Sequence, residues 1–385
     1  MVIFIISCFK NNNTGKGGHF YSLLHVAREL SEDYKIFVVG DFFPPVYKDQ
    51  QKIVSFISSG RRKKILQAVH DIGVNKISIV HAFDKTAAGY GDYLSSRIKK
   101  PFVVTKAGGK PMPKSVLPFE NMVVFQKEDL DNINSRLLSK PKKIALIPNR
   151  VPAPTYYGYN RKNPFASSSS QVLKILRIAR YSNIYLESII QAIGLHKKLL
   201  DEQLPSELVV IGAIQDESVF EYLVKNYKMQ NVSFISSSDY TENAADFIVH
   251  SDIVVGTGRG FIEGMAHGKM VFFPVRGKSI PCFTNNENYE EAFYKNFSPR
   301  IVENNAINVD KAYSDFLKVL SCKRSEYSEF IKKKYLNDHS ARVGAVRLEA
   351  FWKEVTNKNS LFKYYKRKII SVLVRIGYRV FRWTP

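Results

Sequence analysis

The chain contains little cysteine: three residues among 385. Cys8, Cys282 and Cys322 are odd in number, widely spaced and form no CxxC pair. This pattern excludes a disulfide framework and the usual spacing of a zinc site. We therefore expect a reducing, cytoplasmic location.

Long apolar runs are also missing. Nowhere does the sequence reach the roughly 18 consecutive apolar residues that a membrane-spanning helix needs. The opening MVIFIISC lacks the basic leader and small-residue cleavage site of a signal peptide, so it is interpreted as a first buried strand. Any contact with a membrane is therefore expected to be peripheral.

Acidic residues are comparatively few: 35 aspartates and glutamates stand against 57 lysines and arginines, which gives a formal charge of +22. Such a surface attracts polyanions, and nucleic acid, acidic lipid and phosphorylated substrates all qualify. The composition is otherwise globular, with 45% hydrophobic and 13% aromatic residues. The length predicts two domains of the usual ~100–200 residues.

Short apolar runs alternate with longer amphipathic stretches in both halves of the chain. Continuous apolar strands are typical of a parallel sheet covered on both faces, so the pattern predicts an α/β fold. Helical spacing follows the first strand at 19–32 and the seventh at 186–200. The predicted strands are 2–6, 36–39, 77–80, 102–105, 122–125 and 144–147, then 172–178, 208–212, 232–235, 253–255 and 270–273.

A change of composition after Pro148 marks a domain boundary, because prolines, asparagines and four consecutive serines follow it. Two α/β halves give two carboxyl-end crevices, and such crevices bind ligands. The predicted organisation is a domain over 1–150, a linker over 151–172, a domain over 173–335, terminal helices over 336–358 that cross back to the first domain, and a basic tail over 359–385.

The strongest local signal is DIVVGTGRGFIEGMAHGKMVFFP at 252–274. Gly256, Gly258 and Gly260 form a glycine-rich turn between a strand and a helix. Free N–H groups and the positive dipole end at such a helix start suit an anion such as a diphosphate. Glu263, about one turn into the helix, is placed to accept hydrogen bonds from ribose hydroxyls. A glycine-rich turn with a surface glutamate is the alternative interpretation.

This segment resembles the donor-binding signature of the retaining GT-B glycosyltransferases of the family-4 type, as found in bacterial surface-glycan synthesis. The resemblance implies two Rossmann-like domains facing across a cleft that holds a nucleotide-sugar. It implies that Glu263 binds ribose and that the Gly-x-Gly-Arg turn, with Arg259, lies against the donor. The family's usual earlier glutamate is replaced here by Val255.

Further matches to that family follow in the same order along the chain. RIARYSNIYLES resembles the strand and loop in which an arginine and a lysine hold the donor diphosphate. Arg180 matches the arginine, whereas Tyr185 occupies the lysine's position. LVVIGAIQDES resembles the next strand and turn, with Gly212 at the bend.

The first half carries weaker matches. GKGGHFYSLL resembles the family's opening loop, where the amides of Gly17 and Gly18 would face the donor phosphate. His81 ends a strand and is predicted to face the cleft, although Phe83 replaces the family's second histidine. Lys106 lies where relatives place a histidine near the reacting sugar, or it contacts phosphate. The resemblance thus implies catalytic roles for Arg180, Glu263, His81 and Lys106.

Asp129 and Asp131 form a DxD sequence, the metal-diphosphate motif of a different glycosyltransferase fold. We interpret them as acids that open a helix, where the helix dipole favours them. No ligand spacing indicates a metal, and none is expected to be required.

The last 25 residues, 361–385, hold seven Lys or Arg and no acid, with apolar residues near helical periodicity. This pattern predicts a basic amphipathic helix that binds the anionic inner face of the membrane. A terminal helix packed on the first domain is the alternative. The predicted membrane-binding residues are Lys366, Arg367, Lys368, Arg375, Arg379, Arg382 and Trp383.

Together these patterns predict a transferase that moves a sugar, with retention, from a nucleotide-sugar to a glycan or lipid-linked acceptor in surface polysaccharide or lipopolysaccharide synthesis. A nucleotide-sugar epimerase of GT-B-like fold would share the donor site. A basic nucleic-acid-binding protein would explain the charge, but no RNA-binding motif, zinc spacing or repeat supports it, so no nucleic-acid partner is expected.

Overall fold

The computed structural model describes residues 1–10, 17–136, 140–154 and 161–356 of the 385-residue chain. The chain divides into two compact units. Among the described residues, unit 1 contains those of Met1–Asn149 and of 341–356, and unit 2 contains those of Arg150–Ser340.

Unit 1 is built on a seven-stranded sheet in which every neighbouring pair of strands is parallel. Its strands are β1 (Val2–Cys8), β2 (Tyr34–Gly40), β3 (Val54–Ser58), β4 (Ile79–Ala82), β5 (Phe102–Lys106), β6 (Asn121–Val124) and β7 (Lys143–Leu146). They lie in the order β3-β2-β1-β4-β5-β6-β7. The connecting helices are α1 (Gly18–Arg28), α2 (Arg62–Ile72), α3 (Lys85–Ile98) and α4 (Lys127–Asn134).

The central strand β1 explains why the apolar run at the start of the chain does not alternate. Phe4 and Ile6 belong to one hydrophobic cluster, and Ile3 and Ile5 belong to another. Successive side chains of a strand point to opposite faces, so both faces of this sheet are buried.

Unit 2 repeats this architecture with six strands, of which only the last pair is antiparallel. Its strands are β8 (Leu173–Ile178), β9 (Ser206–Ile211), β10 (Val232–Ile235), β11 (Ile253–Val255), β12 (Met270–Phe273) and β13 (Cys282–Phe283), in the order β10-β9-β8-β11-β12-β13. Its helices are α5 (Asn183–Asp201), α6 (Glu217–Asn226), α7 (Ser238–Thr241), α8 (Arg259–Ala266), α9 (Tyr289–Tyr294), α10 (Val309–Cys322) and α11 (Arg324–Asp338).

The last described helix, α12 (Ala341–Thr356), belongs to unit 1 and packs beside α1. Its residues Leu348 and Trp352 are 0% and 2% exposed within the cluster that also holds Phe4. The ring centroids of Trp352 and Phe4 are 5.8 Å apart. A segment nearly 200 positions later in the sequence thus completes one face of the first sheet.

The predicted fold class, two α/β units with parallel sheets, is confirmed. The described parts of the predicted linker, residues 151–154 and 161–172, belong to unit 2. The amides of Ala166 and Ser167 donate to the Glu207 carboxylate at 2.7 and 3.0 Å. Strands β3 and β13 were not predicted, because the first is short and partly polar and the second has only two residues. The predicted basic tail at 359–385 lies outside the described residues.

Within the described ranges, no helix combines the length and the apolar character needed to cross a bilayer. Cys8 and Cys282 are buried, Cys322 is exposed, and all three are free thiols.

We predict that Trp352→Ala lowers the free energy of unfolding of unit 1 by about 3–5 kcal/mol, because it opens a large cavity between α12 and β1. Urea denaturation followed by circular dichroism measures this loss. Val346 on the same helix is 60% exposed, so Val346→Ala is the control and is expected to change stability by less than about 0.5 kcal/mol. Equal stability of the two variants would contradict the packing of α12 described above.

Candidate functional site

The strand order of unit 2 reverses at β8. From β8 the chain runs outward through β9 to β10, and it then returns to the other side of β8 to form β11 and β12. The connections that leave β8 and β11 therefore run in opposite directions, which opens a crevice at the carboxyl ends of these strands. We call the loop 179–182 and the turn 256–260, which follow these two strands, the switch-point crevice.

The loop after β8 carries a cation and leads to an uncapped helix. Arg180 is half-buried and forms no ion pair with any described residue. Its Nη2 lies 3.4 Å from the Tyr185 hydroxyl, and its guanidinium lies over that ring at 5.5 Å. At the start of α5, the side chain of Ser182 makes no capping hydrogen bond. The positive end of a 19-residue helix thus lies beside Arg180.

The turn after β11 requires glycine at two positions for different reasons. Gly258 has φ of +49°, a backbone conformation that is unfavourable for other residues. At Gly256 a Cβ atom would lie 2.5 Å from the backbone of Phe261, so glycine lets α8 start directly against the strand end. Helix α8 also lacks a side-chain cap, and its first N–H groups are therefore available to an anion.

Three segments converge at the crevice. A Cβ on Gly260 would lie 3.9 Å from the carbonyl oxygen of Ile178, at the end of β8. A Cβ on Gly212 would collide with the Ala179 carbonyl at 1.7 Å. Gly212 therefore lets the end of β9 pack against the loop that carries Arg180, and its predicted contact with the donor stays a prediction.

Glu263 is held in place by an intrahelical ion pair. The Nε of Arg259 donates to Oε1 of Glu263 at 2.6 Å, and the two side chains are 20% and 12% exposed. Both residues were predicted to contact the donor. Arg259 fixes the glutamate rotamer, while Oε2 accepts no hydrogen bond from any described residue.

Two features of this site were not predicted from the sequence. Asn296 and Phe297 both have positive φ, at 53° and 51°, and the carbonyl of Phe297 accepts from the Gly258 amide at 3.4 Å. The Phe297 ring stacks on Phe261 with a centroid distance of 4.0 Å. Two strained residues thus support the glycine turn from below. No local sequence signal predicts a left-handed phenylalanine.

The second missed feature is Arg177, a fully buried arginine on the centre strand of the sheet. Its Nη2 donates to Ser188 Oγ at 2.7 Å, and its Nη1 donates to the Val255 carbonyl at 3.2 Å. The apolar run 172–178 was interpreted only as a buried strand, so the charge within it drew no attention.

Neither a protein-family model nor a curated protein sequence matches the chain. Solved structures do match it. A glycosyltransferase from Rickettsia africae superposes with a TM-score of 0.62 at 17% identity, over 93% of this chain and 99% of the other. Alr3699/HepE from Anabaena, in complex with UDP and glucose, gives 0.60 at 12% identity over 91% and 98%. Sucrose-phosphate synthase from Thermosynechococcus elongatus gives 0.57 at 12% identity over 92% and 99%.

The chain has the GT-B fold. At these identities the likeness establishes the fold alone.

In unit 1, the structure corrects the expectation for His81. The residue is fully buried, and its Nε2 lies 2.7 Å from Thr105 Oγ1. Its ring packs against Phe4, Phe83 and Trp352 at centroid distances of 5.5, 5.6 and 5.8 Å. The side chain therefore packs in the core of unit 1 and does not lie on a surface of that unit, contrary to the expectation.

Lys106 is engaged in a local ion pair. Its Nζ donates to Asp129 Oδ2 at 2.7 Å and to the Gly108 carbonyl at 2.8 Å. The interpretation of Asp129 as a helix-opening acid was incomplete, because the side chain is fully buried and also accepts from the Met112 amide at 3.3 Å. Burial raises the pKa of Asp129, and Lys106 opposes that rise. The charge of Lys106 thus stabilises the loop after β5.

The glycines of the opening loop are only partly described, because residues 11–16 lie outside the described ranges. Gly17 precedes α1 with an ordinary φ of −69°, and Gly18 begins the helix. No side chain caps α1. A role for their amides at a donor phosphate stays a prediction.

Among the described residues, no group of three or more His, Cys, Asp or Glu side chains is arranged to hold a metal ion.

Helix α8 is followed by His267, whose protonation makes the stability of the folded protein depend on pH. Burial, with Lys269 and Lys332 nearby, lowers the pKa of His267 to about 4. The folded state therefore favours neutral His267, whereas the unfolded chain takes up a proton below its ordinary pKa of about 6.5. The resulting stability is present above pH ~6.5 and is lost as the pH falls towards ~4.

We predict that wild-type protein loses about 2 kcal/mol more unfolding free energy between pH 7 and pH 5 than His267→Gln does. Urea unfolding curves at both pH values measure the difference. His70→Gln, at an exposed position of α2, is the control and is expected to follow the wild-type profile. Parallel pH profiles for wild type and His267→Gln would contradict this assignment.

Proposed function

We propose that the protein is an enzyme, a glycosyltransferase that uses a nucleotide-sugar donor. The observation that carries this proposal is the switch-point crevice of unit 2. There the uncapped starts of α5 and α8 lie beside Arg180, and Glu263 follows one turn into α8. This arrangement offers positive charge to a diphosphate and a carboxylate to the attached ribose.

The solved structures support a nucleotide-sugar as the donor class. Alr3699/HepE has been crystallised with UDP and with UDP-glucose. A structure of MnaA from S. aureus, at 14% identity with a TM-score of 0.51, holds UDP. We extend this ligand class to the present chain because its own crevice offers the matching chemistry.

In the proposed reaction the bond between the anomeric carbon and the diphosphate oxygen breaks, and the acceptor hydroxyl forms the new glycosidic bond. As that bond breaks, negative charge develops on the departing nucleoside diphosphate, and one of its phosphate oxygens takes up the proton that the acceptor hydroxyl releases. Preorganised positive groups stabilise that charge most effectively. Arg180 and the amides of the glycine turn supply them. We propose retention of anomeric configuration on the basis of the signature at 252–274.

The acceptor proposed here is a glycan or a lipid-linked glycan in surface polysaccharide or lipopolysaccharide synthesis. The support comes from the sequence: the formal charge is +22, and seven basic residues without an acid lie in 361–385. Peripheral attachment to the inner membrane face would place the enzyme beside such an acceptor.

A thermal-shift panel tests the donor class. We expect one nucleoside diphosphate among UDP, GDP, ADP, CDP and TDP to raise the melting temperature by about 5 °C at 100 times its dissociation constant. The corresponding nucleotide-sugars are then assayed for sugar transfer. Absence of a shift with every diphosphate and every nucleotide-sugar would overturn the proposed function.

Single-residue variants test the proposed roles of Glu263 and Arg180 in the switch-point crevice. Glu263→Ala is expected to abolish a roughly tenfold preference for the ribonucleotide over its 2′,3′-dideoxy analogue, because the carboxylate accepts from the ribose hydroxyls. Arg180→Ala is expected to slow transfer about 100-fold and to weaken binding of both nucleotides equally. Isothermal titration and transfer assays measure these effects.

Glu221→Ala and Arg276→Ala, both at exposed positions of unit 2, are the matched controls and should match wild type. Transfer at wild-type rates by both crevice variants would refute the site.

A donor that is isomerised without any acceptor would favour the epimerase alternative, and salt-sensitive oligonucleotide binding without any nucleotide-sugar effect would favour a nucleic-acid-binding protein.

The membrane proposal has a separate test in the full-length chain. Replacing Lys366, Arg367 and Lys368 together by glutamine is expected to weaken binding to anionic vesicles about 100-fold, since each basic residue contributes about 1 kcal/mol. Vesicle co-sedimentation measures this. Replacing Arg61, Lys63 and Lys64 by glutamine removes the same charge from the start of α2 and is expected to have little effect. Equal binding by both variants would contradict the proposal.

A further inference from the structure

Arg177 is a buried positive charge that has no counter-ion among the described residues. The side chain is 1% exposed in the middle of the unit 2 sheet, where it pairs in register with Val255 on one side and Val210 on the other. No carboxylate among the described residues forms an ion pair with it. Its partners are neutral: the Ser188 hydroxyl and the carbonyls of Val255 and Ile178, at 2.7, 3.2 and 3.3 Å. Its Nε is buried and has no hydrogen-bond partner among those residues.

Such an arrangement is costly in the unliganded protein. Removing a guanidinium from water is unfavourable unless opposite charge and a full set of hydrogen bonds replace the lost hydration. Burial lowers the pKa of Arg177 to about 10, which reflects the same penalty. The group nevertheless stays charged near neutral pH. Packing of the sheet does not need it, because strand positions of this kind are ordinarily apolar.

The position of the charge indicates what could compensate it. The carbonyl that accepts from Nη1 belongs to Val255, and the turn 256–260 follows immediately. The carbonyl of Ile178 lies next to Gly260 and directly before the loop of Arg180. The guanidinium groups of Arg177 and Arg180 lie 6.0 and 5.5 Å from the ring centroid of Tyr185. Arg177 therefore lies directly beneath the floor of the switch-point crevice.

We propose that Arg177 is a positioning residue for the donor diphosphate, and that its buried charge attracts the diphosphate through the crevice floor without touching it. This inference rests on the proposed function. A bound diphosphate supplies the counter-charge that the unliganded protein lacks, and the low dielectric between the two groups keeps their attraction strong.

A purely structural role for Arg177 makes the opposite predictions. If the guanidinium served only to join β8, β11 and α5, its neutral replacement would destabilise the unliganded protein and leave the dependence of affinity on ligand charge unchanged. If it serves the diphosphate, its neutral replacement costs no stability without ligand and reduces affinity in proportion to ligand charge. Two measurements therefore separate the two roles: the stability of the neutral variants without ligand, and the dependence of their affinity loss on ligand charge.

The experiment compares Arg177→Met and Arg177→Gln, which remove the charge, with Arg177→Lys, which keeps it. Titration calorimetry measures binding of UDP, UMP and uridine, or the same series of whichever base the thermal-shift panel selects. The melting temperature is measured without ligand. Lys174→Met is the matched control, because it removes one positive charge from the opposite end of the same strand.

We expect both neutral variants to bind UDP about ten- to fiftyfold more weakly, UMP a few-fold more weakly and uridine as wild type does. Arg177→Lys is expected to bind UDP within about threefold of wild type, and Lys174→Met within about twofold. Without ligand, Arg177→Met is expected to melt no lower than wild type.

Equal weakening for UDP, UMP and uridine, or wild-type affinity for UDP in the neutral variants, would overturn the proposal. Failure of both neutral variants to fold would also overturn it, because the charge would then be required without ligand. If wild type binds no nucleoside diphosphate, the proposed function itself fails. If wild type and Arg177→Met bind UDP with equal affinity, only the proposed role of Arg177 fails and the proposed function stands.

Discussion

The unsatisfied N–H groups at the starts of α5 and α8 are the feature on which the proposed site depends. Neither helix has a side-chain cap, and both begin where the chain leaves neighbouring strands β8 and β11. Most of the described helices likewise lack a side-chain cap. The exceptions are α3, where Asp84 accepts from the Ala87 amide, and α10, where Asn308 accepts from the Lys311 amide. What distinguishes α5 and α8 is their place, because both begin where the strand order reverses, which is where an open parallel sheet binds its ligands.

The positive charge around this crevice is organised in layers. Arg180 lies in the loop itself, and Arg177 lies in the strand below it, fully buried. Arg259 is engaged with Glu263 and thereby orients the one carboxylate of the signature helix. In unit 1, by contrast, the comparable lysine is neutralised by an acid, since Lys106 pairs with the buried Asp129. A basic side chain thus has opposite consequences in the two units, depending on whether an acid is packed beside it.

Glycine has several separate functions in the same small region. Gly258 adopts a backbone conformation that other residues avoid, whereas Gly256 and Gly212 make room for backbone atoms that approach closer than a Cβ would allow. Asn296 and Phe297 adopt the left-handed conformation without being glycine. Their strain is offset by the stacking of Phe297 on Phe261, and the benefit is a fixed carbonyl beneath the Gly258 amide. The turn is consequently held in shape before any ligand arrives.

The sequence alone determined the two α/β halves, most of the strands and the signature turn, because these follow from local patterns: apolar runs, helical periodicity and glycines between a strand and a helix. It placed Glu263 and Arg180 correctly on their elements. It could not determine the surroundings of His81, which depend on Trp352 of a helix that returns from the far end of the chain. Nor could it determine the pairing of Lys106 with Asp129 or the burial of Arg177 against Val255, because these contacts also join residues that are distant in sequence. Only the tertiary structure decided which charges meet an acid and which do not, since charge compensation depends on neighbours in space that sequence spacing does not encode.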